Sequence, residues 1–151
     1  MEFREATVAD KARLLEFEQG VLEAERPFND DIKEAGAYYY DMDELISSPS
    51  TYLIVAQEQG EIVATGYAKI QSSKASLSHE QHGYLGFMYV KPDYRGQGLN
   101  AKIMEHLVSW CKKQDLTHLY LDVYAGNDPA IKAYEKVGFT PSLVEMKLKL
   151  D

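Results

Sequence analysis

The sequence predicts a mixed α/β fold: a mostly antiparallel central sheet with antiparallel strands at both ends, one parallel strand pair in its middle that splays apart, and flanking helices. Three observations predict it. Tyr52–Glu58 and Glu61–Gln71 are strand-like segments joined by Gln59-Gly60, a hairpin signal. A second strand at Leu119–Tyr124 follows the apolar run Tyr84–Val90 after a glycine-bearing loop and an amphipathic run. Strand, helix and strand in so short a stretch form a right-handed parallel crossover. Finally, Val144, Met146, Leu148 and Leu150 alternate with Glu145, Lys147 and Lys149, as in a half-buried antiparallel strand.

Taken in order, Phe3–Ala6 forms a short first strand. Thr7 has the spacing of a helix N-cap, with Asp10 completing a capping box. Leu14, Phe17, Val21 and Leu22 recur at helical spacing, so a first helix runs to about Glu25. Gly20 inside it marks a bend or a close contact, because glycine costs a helix about 1 kcal/mol relative to alanine. Pro27 breaks the helix. A short second helix is expected around Asp43–Ser47, after the run Tyr38-Tyr39-Tyr40. Within Glu61–Gln71, Ile62, Ala64, Gly66, Ala68 and Ile70 share one face. Ser72–His82 has no period and reads as a loop, and the continuous run Tyr84–Val90 as a strand buried on both faces. Leu99, Ile103, Leu107, Trp110 and Cys111 form the apolar stripe of a helix ending near Gln114. Asp128-Pro129 caps the last helix, which carries Ala130, Ala133, Tyr134 and Val137 on one stripe and stops at Gly138.

The chain has 151 residues and is expected to form one domain, 1–151, with a core of its own. A net charge of −8 argues against nucleic acid as a partner, since that binding needs clustered Lys and Arg. No run approaches the ~18 apolar residues of a membrane span. With no signal peptide pattern and one cysteine, Cys111, the expectation is a cytoplasmic protein without disulfides.

The stretch Val90-Lys91-Pro92-Asp93-Tyr94-Arg95-Gly96-Gln97-Gly98-Leu99-Asn100 joins strand to helix. Glycines 96 and 98 permit positive φ and close backbone approach. The helix start adds free N–H groups and a positive dipole end. The loop is therefore either an anion site, best suited to phosphate or pyrophosphate, or a plain turn.

With two segments quoted together, the chain resembles the GCN5-related N-acetyltransferase (GNAT) family over nearly its whole length. Arg95-x-x-Gly98 fits the family's pyrophosphate-loop pattern, Gln/Arg-x-x-Gly-x-Gly/Ala, and departs from it at Asn100. Asn127, Ala130, Tyr134, Gly138 and Phe139 fit the Asn-x-x-Ala-x-x-x-Tyr-x-x-x-Gly-Phe signature. The resemblance implies acetyl-CoA as co-substrate, no metal, and an amine acceptor on a small molecule or peptide. It implies that backbone groups of Met88, Tyr89 and Val90 pair with the pantetheine arm. It further implies that Arg95, Gly96, Gln97, Gly98, Asn100 and Ala101 cradle the pyrophosphate. Asn127 then holds the pantetheine or orders the next helix, beside Ala130. Tyr134 is the expected general acid for the departing sulfur; its other reading is a core tyrosine bonded to a backbone carbonyl. The general base stays open among His82, Tyr84, Glu23, Glu25 and a water chain. The acceptor is expected to lie against Glu25–Ser50 and Ser72–His82. Family members are often dimers, and Ser142–Leu150 is suited to pairing across an interface. The competing reading is an acyl-CoA-binding module without turnover.

Overall fold

The computed structural model describes residues Met1–Asp151. Five strands form one sheet in the order β1-β2-β3-β4-β5. They are β1 (Glu2–Glu5), β2 (Thr51–Glu58), β3 (Glu61–Ser72), β4 (Gln81–Val90) and β5 (Leu119–Tyr120). The first three pairings are antiparallel and β4–β5 is parallel. The helices are α1 (Lys11–Glu25), α2 (Met42–Ser47), α3 (Leu99–Lys113) and α4 (Asp128–Val137).

The sheet separates two apolar layers. Ile54 and Ala56 of β2 face α3, where they meet Ile103, Leu107 and Cys111. Leu53 and Val55 point the other way, to Leu14 and Phe17 of α1 and Leu45 of α2. Burial of each large side chain in these layers contributes roughly 1.5–3 kcal/mol. Cys111 is fully buried and its thiol is pushed up to about 11, so it is a core residue. The capping box at Thr7 forms, with the Thr7 N–H donating to Asp10 at 2.8 Å. Arg4 grips the same carboxylate with two nitrogens at 2.8 and 2.9 Å, lashing β1 to the start of α1.

Four expectations need correction. The face of β3 is not continuous: a bulge between Ala56 and Gln57 shifts the register, so Ile62 joins the α1 layer while Ala64 and Ala68 face α3. The strand β4 begins at Gln81 and alternates between buried and half-buried positions, so it is not buried on both faces. The strand β5 is two residues long instead of Leu119–Tyr124, because its ladder ends at Tyr84 and Tyr120. The closing strand Val144–Leu150 does not form; residues 139–151 take no regular structure. The parallel pair therefore lies at an edge of the sheet rather than in its middle. Two smaller differences concern α4, whose N-cap is Asn127 and whose Val137 is exposed.

Candidate active site

The site begins on the open edge of β4. The Gly83 N–H donates to His118 O beside β5, at 2.9 Å, while the Lys91 N–H donates to Val63 O beside β3, at 2.8 Å. These residues lie an even number of positions apart, so in a regular strand their N–H groups would point the same way. They do not, because β4 carries a bulge. Thr65 faces Tyr89 while Tyr67 faces Gly86, and Phe87 sits at φ 56 in the left-handed region. The extra residue reverses the alternation. Counting back from Lys91, the N–H groups of Val90 and Met88 face away from β3, into the gap that β5 leaves. A non-glycine residue at this φ costs roughly 1–2 kcal/mol. Burial of the Phe87 ring, 4.7 Å from the Tyr40 ring, offsets it.

That gap is a cavity of about 320 Å³. Met88, Tyr89 and Val90 form its floor. The end of α1 and residues 122–124 form facing walls, and α4 closes it with Asn127, Ala130 and Tyr134. Arg95 and Asn100 stand at one end. There the Arg95 Nε donates to Val90 O at 2.9 Å, and its guanidinium lies 5.7 Å from the Tyr89 ring centroid. Gly96 and Gly98 take φ of 76 and 78, and Gly98 opens α3 with no side chain capping it. The first N–H groups of α3, including those of Asn100 and Ala101, are thus left to an outside acceptor with the positive end of the helix dipole behind them. Gly96, Gln97, Gly98 and Ala101 are exposed on this rim and do not line the cavity itself.

The other end is aromatic and acidic. Glu25 ends α1 and lines the cavity. Burial raises its pKa, and the Tyr39 hydroxyl pulls partly the other way. Burial chiefly raises the pKa of Tyr39, Tyr40, Tyr84 and Tyr134, and the Glu25 charge adds to the shift of all four. Asp122 accepts from the Tyr84 hydroxyl at 2.8 Å. Tyr124 accepts from Asn29 at 3.0 Å and stacks on Phe28. The loop before α2 is held by Glu18, fully buried, whose Oε2 accepts from the N–H groups of Tyr39 and Tyr40, each at 2.7 Å.

Tyr134 donates to no protein group, and no buried side-chain polar atom lacks a partner. Its hydroxyl is therefore accessible, and the reading as a carbonyl-bonded core tyrosine does not hold. Burial raises its pKa, with Glu25 adding to the shift, so it keeps its proton at neutral pH. Asn127 caps α4, its Oδ1 accepting from the Ala130 N–H at 3.4 Å, which leaves its amide NH₂ free of that bond.

The base candidates separate clearly. His82 bonds Ser73 and Gln71 at the far end of β4, about 20 Å along the strand from Met88. Residues 73–80 lie at that same far end, so Ser72–His82 does not border the cavity. Glu23 is exposed and paired with Arg26 at 2.8 Å. Tyr84 is a donor to Asp122, and both burial and that bond raise its pKa. Glu25 alone of the named side chains lines the cavity. Sequence reasoning missed Glu18 and Asp122. For Glu18 a signal existed: it lies four residues after Leu14 and four before Leu22, on the apolar stripe. Gly20 proves to be a close contact, since a Cβ there would stand 2.7 Å from the Tyr89 ring.

Residues 18–139 match the profile described as the Acetyltransferase (GNAT) family. A Bacillus subtilis protein, provisionally named as the alanine N-acetyltransferase of ribosomal protein bS18, is 29% identical over 98 residues. That match covers 65% of this chain and 60% of that protein, so the chain spans under two thirds of its relative's length. Among solved structures, a tetramutant of the BH1408 protein of Bacillus halodurans superposes with a TM-score of 0.86 at 24% identity, covering 99% of this chain and 100% of that one. A predicted acetyltransferase of Clostridium acetobutylicum, solved with acetyl-CoA, gives 0.75 at 20% identity, covering 98% and 95%. At these identities the two structures show a shared fold.

Proposed function

Since this chain belongs to the GNAT acetyltransferase family, we propose that it moves the acetyl group of acetyl-CoA to a primary amine on a small molecule or peptide. One observation carries this reading. The free Tyr134 hydroxyl, the Glu25 carboxylate and the open backbone edge at Met88–Val90 meet in one cavity.

The residues present fit acetyl-CoA. A row of unpaired N–H groups on β4 suits the amide-bearing pantetheine arm, in the manner of an added strand. The loop from Arg95 through Ala101, with an uncapped helix start, suits a pyrophosphate. The bound thioester supplies an activated acetyl carbon. The Met88 N–H is suited to stabilise negative charge developing on the acetyl oxygen, an effect typically worth ~3 kcal/mol of barrier. Tyr134 gives a proton to the departing sulfur and regains one shed by the attacking nitrogen as the C–S bond breaks and the amide forms. Glu25 takes a proton from the acceptor ammonium, because only the neutral amine has a lone pair to attack with. Glu25 and Asp122 at the acceptor end, with a net charge of −8, favour acceptors that arrive positively charged. The relative provisionally named as an alanine N-acetyltransferase of ribosomal protein bS18 supports a peptide amine as one such class. No helix is long and apolar enough to cross a membrane, and a cytoplasmic setting is part of this reading. Residues 1–151 act as one catalytic domain.

Release of free CoA from acetyl-CoA, followed across a panel of polyamines, aminoglycosides and alanine-terminated peptides, tests the reading. Amine-dependent release is expected. Tight CoA binding with no acetylated amine would favour the binding module instead. Within the cradle, Gly98→Val should weaken CoA binding about tenfold or more by calorimetry. Its Cβ meets no neighbour within 4 Å, but φ of 78 is unfavourable for valine, so the loop must refold. Unchanged affinity would place the phosphates elsewhere.

A further inference from the structure

We propose that Lys69 is an anion subsite for the acceptor, so that the preferred substrates are peptide amines with an aspartate or glutamate at the second or third residue. The inference rests on the acetyl-transfer reading above and names the substrate class for the same site. Lys69 lies on β3, directly across from Tyr84 of β4, and paired residues of neighbouring strands share a face of the sheet. Its Nζ stands 5.7 Å from the centroid of the Tyr67 ring and 5.9 Å from that of Tyr84. The residue is half-buried, yet no carboxylate of the chain pairs with it. The ring faces attract the ammonium but satisfy none of its three N–H donors.

The ammonium adjoins the acceptor end of the cavity. The Tyr84 hydroxyl donates to Asp122, which lines that cavity, so one tyrosine ring separates a carboxylate of the site from Lys69. The floor between them is aromatic. The Tyr84 and Tyr67 rings lie 6.5 Å apart, and Tyr40 meets Tyr67 edge-on at 5.8 Å. Charge reverses along this floor: Glu25 and Asp122 are negative where the amine reacts, and Lys69 is positive beyond them. A peptide that brings an ammonium at its N-terminus and a carboxylate one or two residues later carries the same charges in complementary order. Consecutive Cα atoms are about 3.8 Å apart, so a side chain on the second or third residue reaches across the width of one tyrosine ring.

Neighbouring groups do not compete for the role. Gln71 and His82 follow on the same face, but the Gln71 Oε1 is bound to His82 Nε2 at 3.3 Å, and His82 Nδ1 is bound to the Ser73 hydroxyl at 3.0 Å. Arg26 is paired with Glu23, and Lys147 with Asp31. No arginine lies on β3 or β4. A lone ammonium suits a single carboxylate, whereas a phosphate is better matched by the bidentate fork of an arginine.

The test is steady-state release of CoA from acetyl-CoA with C-terminally amidated tetrapeptides that begin with alanine. Each carries Asp or Glu at the second or third residue and is compared with its Asn or Gln twin. The acidic peptide is expected to show a kcat/KM about tenfold above its twin, chiefly through a lower KM, as a charge-assisted hydrogen bond would give. This comparison needs no variant. Lys69→Met should erase the gap between the twins, since methionine keeps an unbranched side chain over the rings without the charge. Lys69→Arg should retain the gap, and Lys69→Glu should turn the preference toward peptides with lysine in place of the acid. A lysine that only packed on Tyr84 would shift both twins alike. Equal kcat/KM for the twins, or a gap that survives Lys69→Met, would overturn the proposal and leave acetyl transfer intact. Turnover of polyamines or aminoglycosides but of no peptide would overturn this substrate class alone, whereas no turnover with any amine would remove the acetyl-transfer reading and this inference with it.

Discussion

Tyr134→Phe is expected to lower kcat by a hundredfold or more while leaving the Kd for acetyl-CoA within about twofold. Donation of a proton in the transition state is worth typically 10²–10⁴ in rate, and removing only the hydroxyl leaves the ring's packing in place. That packing is considerable: the ring meets Phe139 edge-on at 6.1 Å and joins the α3 layer. The hydroxyl has no protein partner, so its loss leaves no orphaned group and the fold should not suffer. The split between kcat and Kd is the useful readout. A tyrosine that merely lined the pocket would shift binding and turnover together. Turnover equal to the wild type would remove Tyr134 from the mechanism and reopen the reading as a binding module.

Much of this arrangement was legible in the residues, for identifiable reasons. The helix α3 and the β2–β3 hairpin are written in local periodicity, and periodicity survives because each element buries one face. The loop Arg95–Gly98 was legible because two glycines there adopt positive φ, which few other residues tolerate. The bulges were not legible. Inserting a residue at Val63 or Phe87 reverses the face of everything beyond it without altering composition. The bulge at Phe87 decides which N–H groups reach the cavity. The acceptor end was also hidden, because the backbone around Tyr39 and Tyr40 follows no period. It is shaped by a distant carboxylate, Glu18, accepting two N–H groups. The last strand was expected from alternation, and the structure forms none there: residues 139–151 take no regular structure. Alternation states that a segment wants one apolar face covered, and it is silent about what supplies the cover.

Glu25→Gln should cost about a hundredfold in kcat/KM and, more tellingly, change its dependence on pH. Burial raises the pKa of Glu25 from its ordinary value, against a smaller lowering by the Tyr39 hydrogen bond. A base must be ionised to accept a proton, so activity should rise as pH climbs through that raised pKa and fall as pH drops below it. The acceptor amine imposes its own limb, because its neutral fraction also grows with pH, and that limb is common to both proteins. The variant should keep the amine's limb and lose the acidic one. Glutamine preserves the shape of the site and a partner for Tyr39, so a collapse of the acceptor end is not expected. The tyrosines also respond. Without the Glu25 charge, Tyr39, Tyr84 and Tyr134 lose one cause of their raised pKa values, which should move any alkaline loss of activity to lower pH. An acid limb unchanged in Glu25→Gln would assign proton removal to water or to Asp122, and would leave Glu25 as a charge that attracts the acceptor without receiving its proton.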